Sequence, residues 1–332
     1  MKHKTLKLVI FLISLLTISI IIIKNDSLKF DKLFDSFIDT ELETPSSKLM
    51  VGTFLWLGYE PLFLARDLGY YDENQIRFVE YLSATQTNRA LRNNSIHIAT
   101  NTLDEAILLL EQGLDIKIIL IMDESLGGDA IIGKPEIQNF KELRGKRVGV
   151  ANIAVSAYLI SRAFDIFGMS INDVNIMPLQ GEDMEKAFKT NQVDAIVTYE
   201  PTKSILLSMG GRNLFDSSQI PGEIIDVLVI QNKALQLFPK QIDLLLKGWF
   251  KSLDYLREKP AEAALMMSQR MGMTKEEVLI ALEGMRSPNE LENKEWVTGE
   301  NPVLINKGEN LVNFMLKKGF LKKNVNLKNI IS

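Results

Sequence analysis

The chain has 332 residues, 46% hydrophobic and 24% charged, with a formal net charge of −4. That length is too great for one small core and suits two lobes, and the residue balance is that of a folded globular protein. The small net charge with no basic stripe argues against nucleic acid as a partner, and the absence of cysteine removes disulfides, thiolate nucleophiles, cysteine-ligated zinc and iron–sulfur clusters.

At the N-terminus Lys2, Lys4 and Lys7 precede an uncharged run from Leu8 to Ile23, whose polar residues are Ser14, Thr17 and Ser19. A basic segment followed by an apolar one is an export or anchoring signal. The run is slightly short for a spanning helix but within tolerance with its flanks. No small-x-small cleavage site follows, because the next residues are Lys24, Asn25 and Asp26. Residues 1–24 are therefore expected to be an uncleaved anchor with its basic end in the cytoplasm, a cleaved signal peptide being the alternative. Residues 25–47 form a charged spacer that reads either as a short amphipathic helix or as a tether.

From Lys48 the pattern changes. A strand-like run, Leu49 to Phe54, leads through Trp56, Gly58 and Tyr59 into an amphipathic segment, Glu60 to Leu68, that stops at Gly69. Trp56 and Tyr59 thereby fall on the loop beyond a strand's carboxyl end, where open α/β sheets bind ligands. This opening resembles that of the taurine/nitrate/sulfonate class of periplasmic solute-binding proteins, which also includes thiamine-precursor binders. The resemblance continues along nearly the whole body, through Lys134-Pro135-Glu136-Ile137-Gln138-Asn139-Phe140-Lys141-Glu142-Leu143-Arg144-Gly145-Lys146-Arg147-Val148-Gly149-Val150. It implies an α/β type II periplasmic-binding-protein fold, two lobes with a hinge and a central ligand cleft. Many such proteins are tethered through a lipobox cysteine, which this chain lacks.

The alternation that follows predicts further strands at Ile76 to Tyr81, Ile96 to Thr100, Ile116 to Met122, Ala130 to Gly133, Arg147 to Val150, Val174 to Leu179, Ala195 to Tyr199 and Asp226 to Gln231. Helices are expected at Thr85 to Arg92, Leu103 to Glu111, Ser156 to Phe167, Gly181 to Thr190 and Thr202 to Met209, with a long helical set from Pro239 onward. Such alternation belongs to an α/β fold with a largely parallel sheet. The order assigns residues 48–124 to the first part of lobe one, 125–223 to lobe two, and 224–332 to the return of lobe one with the C-terminal helices. Two glycine-bearing crossings, near Asp123 to Asp129 and near Pro221 to Asp226, would make the hinge.

Candidate ligand-binding residues lie at strand ends. The resemblance places ligand-facing loops at Ser83 and Thr85, at Asn101 and Thr102, and over Ala151 to Tyr158, which contains Asn152, Val155 and Ser156. Ser156 suits a helix N-cap whose free N–H groups would attract an anion; equally, it would only stabilise the helix. A second set is acidic: Asp123, Asp129, Glu200 beside Tyr199, and Asp226. Carboxylates brought into a cleft need donors or a cation, so this set points to an amine or cationic ligand caged by Trp56, Tyr59 and Tyr199, or else to carboxylates that bond hinge amides.

Catalysis finds little material. The two histidines are His3, in the basic terminus, and His97, which heads an apolar strand, so triads and zinc sites cannot be built. The yeast-type pyrimidine synthases related to this fold depend on a cysteine-rich motif that is absent. No phosphate-binding P-loop occurs, since Gly127-Gly128 is not followed by Lys-Ser/Thr. The expectation is an extracytoplasmic binding protein without catalytic residue, metal or cofactor. It would deliver a sulfonate, nitrate, pyrimidine or amine-like molecule to the permease and ATPase of an ABC importer, or serve as the anchored sensor of a signalling system.

Overall fold

A computed structural model describes residues 48–151, 153–297 and 302–331. The anchor and spacer expected over residues 1–47, and the candidate Asn152, lie outside the described residues. No helix among the described residues is long and apolar enough to cross a membrane.

The first half of lobe one alternates as its sequence dictates. Strand β1 (Leu49–Thr53) leads through a single 3-10 turn, Leu57–Tyr59, into helix α1 (Glu60–Asp67). Pro61 fits the first turn of α1, where a missing N–H costs nothing. Then come β2 (Ile76–Glu80), α2 (Ala84–Arg92), β3 (Ile98–Thr102), α3 (Leu103–Glu111) and β4 (Ile116–Ser125). The chain crosses at Leu126, Gly127 and Gly128 into a second sheet built from β5 (Asp129–Gly133), β6 (Arg147–Ala151), β7 (Asn175–Leu179), β8 (Ala195–Tyr199) and β9 (Arg212–Asp216). Helices α4 (Ala154–Phe167), α5 (Met184–Lys189) and α6 (Thr202–Ser208) join these strands. It returns through β10 (Ile225–Gln231). The C-terminal set is α7 (Asn232–Leu237), α8 (Pro239–Glu258), α9 (Pro260–Met271), α10 (Lys275–Leu282), β11 (Met285–Arg286), α11 (Glu290–Val297) and α12 (Val303–Lys318).

Sheet one has the order β11-β4-β10-β3-β1-β2 and sheet two the order β7-β6-β8-β5-β9. The largely parallel sheet expected from the alternation is instead mixed. β1 is parallel to β2 and β3, and β6 to β7 and β8, but β10 runs antiparallel to β3 and β4, and β5 antiparallel to β8 and β9. The reversal follows from the crossings, because the first strand after each enters its new sheet from the opposite edge. Both faces of β10 are covered, as its unbroken buried pattern shows. Val227 and Val229 join a core with α3 and α12, while Leu228 and Ile230 join one with Phe63 of α1 and Trp249 of α8. In sheet two, Ala130, Ile132 and Ile196 pack on Phe188 and Leu206 of α5 and α6.

The first crossing is tied by buried serines to the turn that follows β9 and leads into the second. Ser125 Oγ and Ser217 Oγ are 2.8 Å apart, Gly127 N–H donates to Ser217 Oγ at 2.7 Å, and Asp129 N–H donates to Ser125 Oγ at 3.1 Å. Gly284 O accepts from Leu126 and Gly128 N–H at 2.9 and 3.0 Å, so the C-terminal segment also braces the hinge. β4 runs on to Ser125 rather than ending at Met122, because Asp123 and Glu124 pair with Asp226 and Ile225.

Candidate functional site

The carboxyl ends of β3 and β4 and the amino end of β10 meet at one edge of sheet one. In the ladder Asp226 pairs with Thr102 on one side and with Asp123 on the other. Two carboxyl groups thus stand directly opposite each other, an arrangement that repels when both are charged. Both are buried. Burial pushes the Asp226 carboxyl well above its ordinary range and Asp123 adds to the rise, while hydrogen bonding from Tyr59 opposes it. Burial likewise raises Asp123, against a lowering contribution from Trp56. Tyr59 OH donates to Asp226 Oδ1, and Trp56 Nε1–H donates to Asp123 Oδ2 at 3.2 Å.

The indole donor is placed by glycine. A Cβ on Gly58 would stand 2.0 Å from Asp123 Oδ2 and 2.4 Å from Trp56 Nε1, and one on Gly128 would stand 2.7 Å from the Trp56 ring. The indole therefore fits only because both backbones lack a side chain there.

Above this edge lies a narrow cleft of about 310 Å³ of empty space, open solvent included. Lobe one supplies Phe54, Trp56, Tyr59, Thr102, Glu105 and Asp226, with Ala84 at the start of α2. Lobe two supplies Asp129, Ile153, Val155 and Tyr199. Trp56 and Tyr199 meet edge to face across the cleft, their ring centroids 5.9 Å apart. Asp129 and Tyr199 are cross-strand partners in β5 and β8, so the acid and the aromatic arrive together. A larger hollow of about 840 Å³ lies beside Tyr158, Glu223 and Lys307. Its charges are already engaged: Arg162 Nε pairs with Glu223 at 2.6 Å, and Lys307 Nζ donates to Gly222 O at 3.2 Å.

Glu105 was not among the residues singled out in the sequence. It sits in the first turn of α3, three residues after the N-cap Thr102, the spacing of a capping box. That spacing after a strand end was the available signal. Glu105 is buried, and its Oε2 has no hydrogen-bond partner among the described residues. Burial raises its carboxyl to about 8, with the charge of Asp104 adding to the rise and the neighbouring Thr102 opposing it. Burial raises Asp129 to about 7, opposed by Ser125 and Lys203. The Tyr199 hydroxyl is pushed up to about 12 by burial and the neighbouring Asp129 and Glu105.

Other candidates fall elsewhere. Ser83 caps α2, accepting from Gln86 N–H at 3.4 Å, and exposed Thr85 follows one residue beyond the cleft-lining Ala84. Asn101 and Thr102 belong to β3 rather than to a loop after it. Alternation along the strand sends Asn101 to the face opposite Thr102, and both its side-chain polar atoms are buried without a partner among the described residues. Ser156 is not the N-cap of α4. The helix starts at Ala154 with Ile153 as its N-cap and no side-chain cap, so Ser156 is buried in the first turn and Val155 lines the cleft. Glu200 is engaged by α6, accepting from Ser204 N–H at 3.1 Å and pairing with Lys203 at 3.2 Å.

Comparison with known proteins fits this architecture. The chain is 22% identical over 284 residues, 82% of each chain, to a protein of Bacillus subtilis strain 168 named as a candidate aliphatic sulfonates-binding protein. Among solved structures, the alkanesulfonate-binding protein of Xanthomonas axonopodis pv. citri bound to MOPS superposes with a TM-score of 0.70 at 16% identity, over 84% of this chain and 95% of that one. The periplasmic nitrate-binding protein of Synechocystis PCC 6803 gives a TM-score of 0.65 at 15% identity, over 83% of both chains. These likenesses establish the periplasmic-binding-protein fold, with its two lobes and central cleft. Residues 43–270 match a sequence family as well, and since that span takes in both crossings and every described residue lining the cleft, the chain belongs to the NMT1-like family.

Proposed function

We propose that this chain is the solute-binding component of an ABC importer. It captures a small molecule between its lobes, outside the cytoplasm, and passes it to a membrane permease driven by an ATPase, with no bond made or broken. The observation that carries this reading is the narrow cleft lined from both lobes, with Trp56 and Tyr199 touching across it. Such a cleft exists only while the lobes are apposed, so binding and closure are one event. The named relatives, which bind sulfonates and nitrate, support it. Residues 8–23 would hold the protein at the membrane.

Native mass spectrometry of protein isolated from its own cells should show a bound small molecule. Trp56→Ala should weaken that binding by about 1–3 kcal/mol, the range for loss of a good aromatic anchor, in addition to the stability lost with a buried indole. Unchanged affinity with a large fall in melting temperature would make Trp56 a core residue only. The anchor has its own test in the intact mass of membrane-derived protein, where a mature N-terminus between Lys24 and Ser47 would overturn it.

A further inference from the structure

Five buried carboxyl groups, those of Asp104, Glu105, Asp123, Asp129 and Asp226, gather at the interlobe edge. Among the described residues lining the cleft there is no lysine, arginine or histidine. Lys203 acts on Asp129 but is paired with Glu200 at 3.2 Å. Buried carboxylates without a partner cation are costly, and a fold that keeps several in one place does so at the expense of its own stability. Asp123 and Asp226 each receive one aromatic donor, whereas Glu105 Oε2 and Asp123 Oδ1 have no partner among the described residues.

The opposing influence is the helix N-termini. Residues at or beside the starts of α2, α3 and α4 line the cleft, and each terminus contributes roughly half a positive charge. Together they supply about 1.5 charges, against three ionisable carboxyls on the cleft wall. The balance is acidic once those groups ionise, and a sulfonate or nitrate would face it without a side-chain cation.

We propose that the cleft recognises a compact ligand bearing a protonated amine or a cationic nitrogen heterocycle, held by Glu105, Asp129 and Asp226 and faced by the rings of Trp56 and Tyr199. This rests on the solute-binding reading of the same cleft and adds the charge of the solute. Aromatic faces attract cations when water is excluded, and the carboxyls supply the acceptors that an ammonium or ring N–H needs.

Full-length protein melted and titrated calorimetrically with benzylamine, agmatine and choline, and separately with ethanesulfonate and nitrate, tests the assignment. At least one amine should raise the melting temperature, and neither anion should. Glu105→Gln keeps the shape and removes a buried carboxyl that no counter-ion balances, so it should melt no lower than the parent while losing at least about tenfold in amine affinity. Asp129→Asn should act likewise and serves as the readout if Glu105→Gln does not fold. Anion binding that Trp56→Ala abolishes, with the amines silent, overturns the amine assignment and leaves solute binding standing. Silence toward both sets, with no small molecule on protein from its own cells, overturns both.

Discussion

Raising the pH from 5 to 8 should lower the unfolding free energy of the ligand-free protein by on the order of 7 kcal/mol. Burial lifts Asp104 to about 6, Asp129 to about 7 and Glu105 to about 8, and raises Asp123 and Asp226 as well. In the unfolded chain the same groups titrate near 4. Between those limits the folded protein holds protons that the unfolded chain has released, so the folded state is favoured at the acid end of the window and loses that advantage as pH climbs. One pKa unit is worth about 1.4 kcal/mol, so Glu105 supplies roughly half of the figure, Asp129 about a third and Asp104 the rest. In a chain of 332 residues the loss corresponds to a fall of roughly 10 °C in melting temperature. The sign is the reverse of ordinary acid denaturation, which removes paired carboxylates. A melting temperature that stays flat or rises from pH 5 to pH 8 would mean that these groups are ionised and satisfied in the folded state.

Loss of Arg270 should cost about 2–4 kcal/mol in urea unfolding at pH 8, in keeping with the removal of one partner from a buried ion pair. Its guanidinium carbon lies 3.4 Å from the centroid of the Phe63 ring, Nε reaches Glu60 at 3.2 Å, and a second nitrogen reaches Glu80 at 2.8 Å. Glu60 is 1% exposed. Its carboxyl is nevertheless raised to about 7, because burial outweighs the attraction of Arg270, while Arg270 is itself raised by its two acids against burial. The pair therefore compensates the buried charge only in part. Arg270→Met strands Glu60, and the penalty should shrink at pH 5, where Glu60 takes up a proton. Arg270→Lys should recover little, because an ammonium cannot span two carboxylates and lie flat on a ring at once. An equal cost at pH 5 and pH 8 would assign the effect to packing on Phe63 instead.

The sequence displayed the order of elements more clearly than their edges. Helix Leu103–Glu111 has the limits its apolar spacing predicts, since it is bounded by a strand end and Gly113. β3 was expected to stop at Thr100 because Asn101 and Thr102 are polar, yet cross-strand pairing with Val227 and Asp226 holds them in the ladder. β9 was missed altogether: of its five residues only Leu214 and Phe215 are buried, too few to make a period. The acids at the site could be seen one by one, but not that two of them face each other in register. That depends on β10, a strand more than a hundred residues later in the chain. Glu105 escaped notice because a glutamate in a first helical turn is ordinary, and only its neighbours in space make it unusual.

The position of β10 also orders the birth of the molecule. It is the middle strand of sheet one, joining the pair β4-β11 to the group β3-β1-β2, yet it follows the whole of lobe two. During synthesis sheet two can assemble from a continuous stretch, Asp129 to Asp216. Sheet one must wait in two pieces, with the edges of β3 and β4 unpaired, until residues 225–231 arrive. Domains fold as units when their contacts are local, and unpaired edges invite misassembly. Truncation before β10 should thus leave a folded second lobe attached to an aggregation-prone remnant of the first.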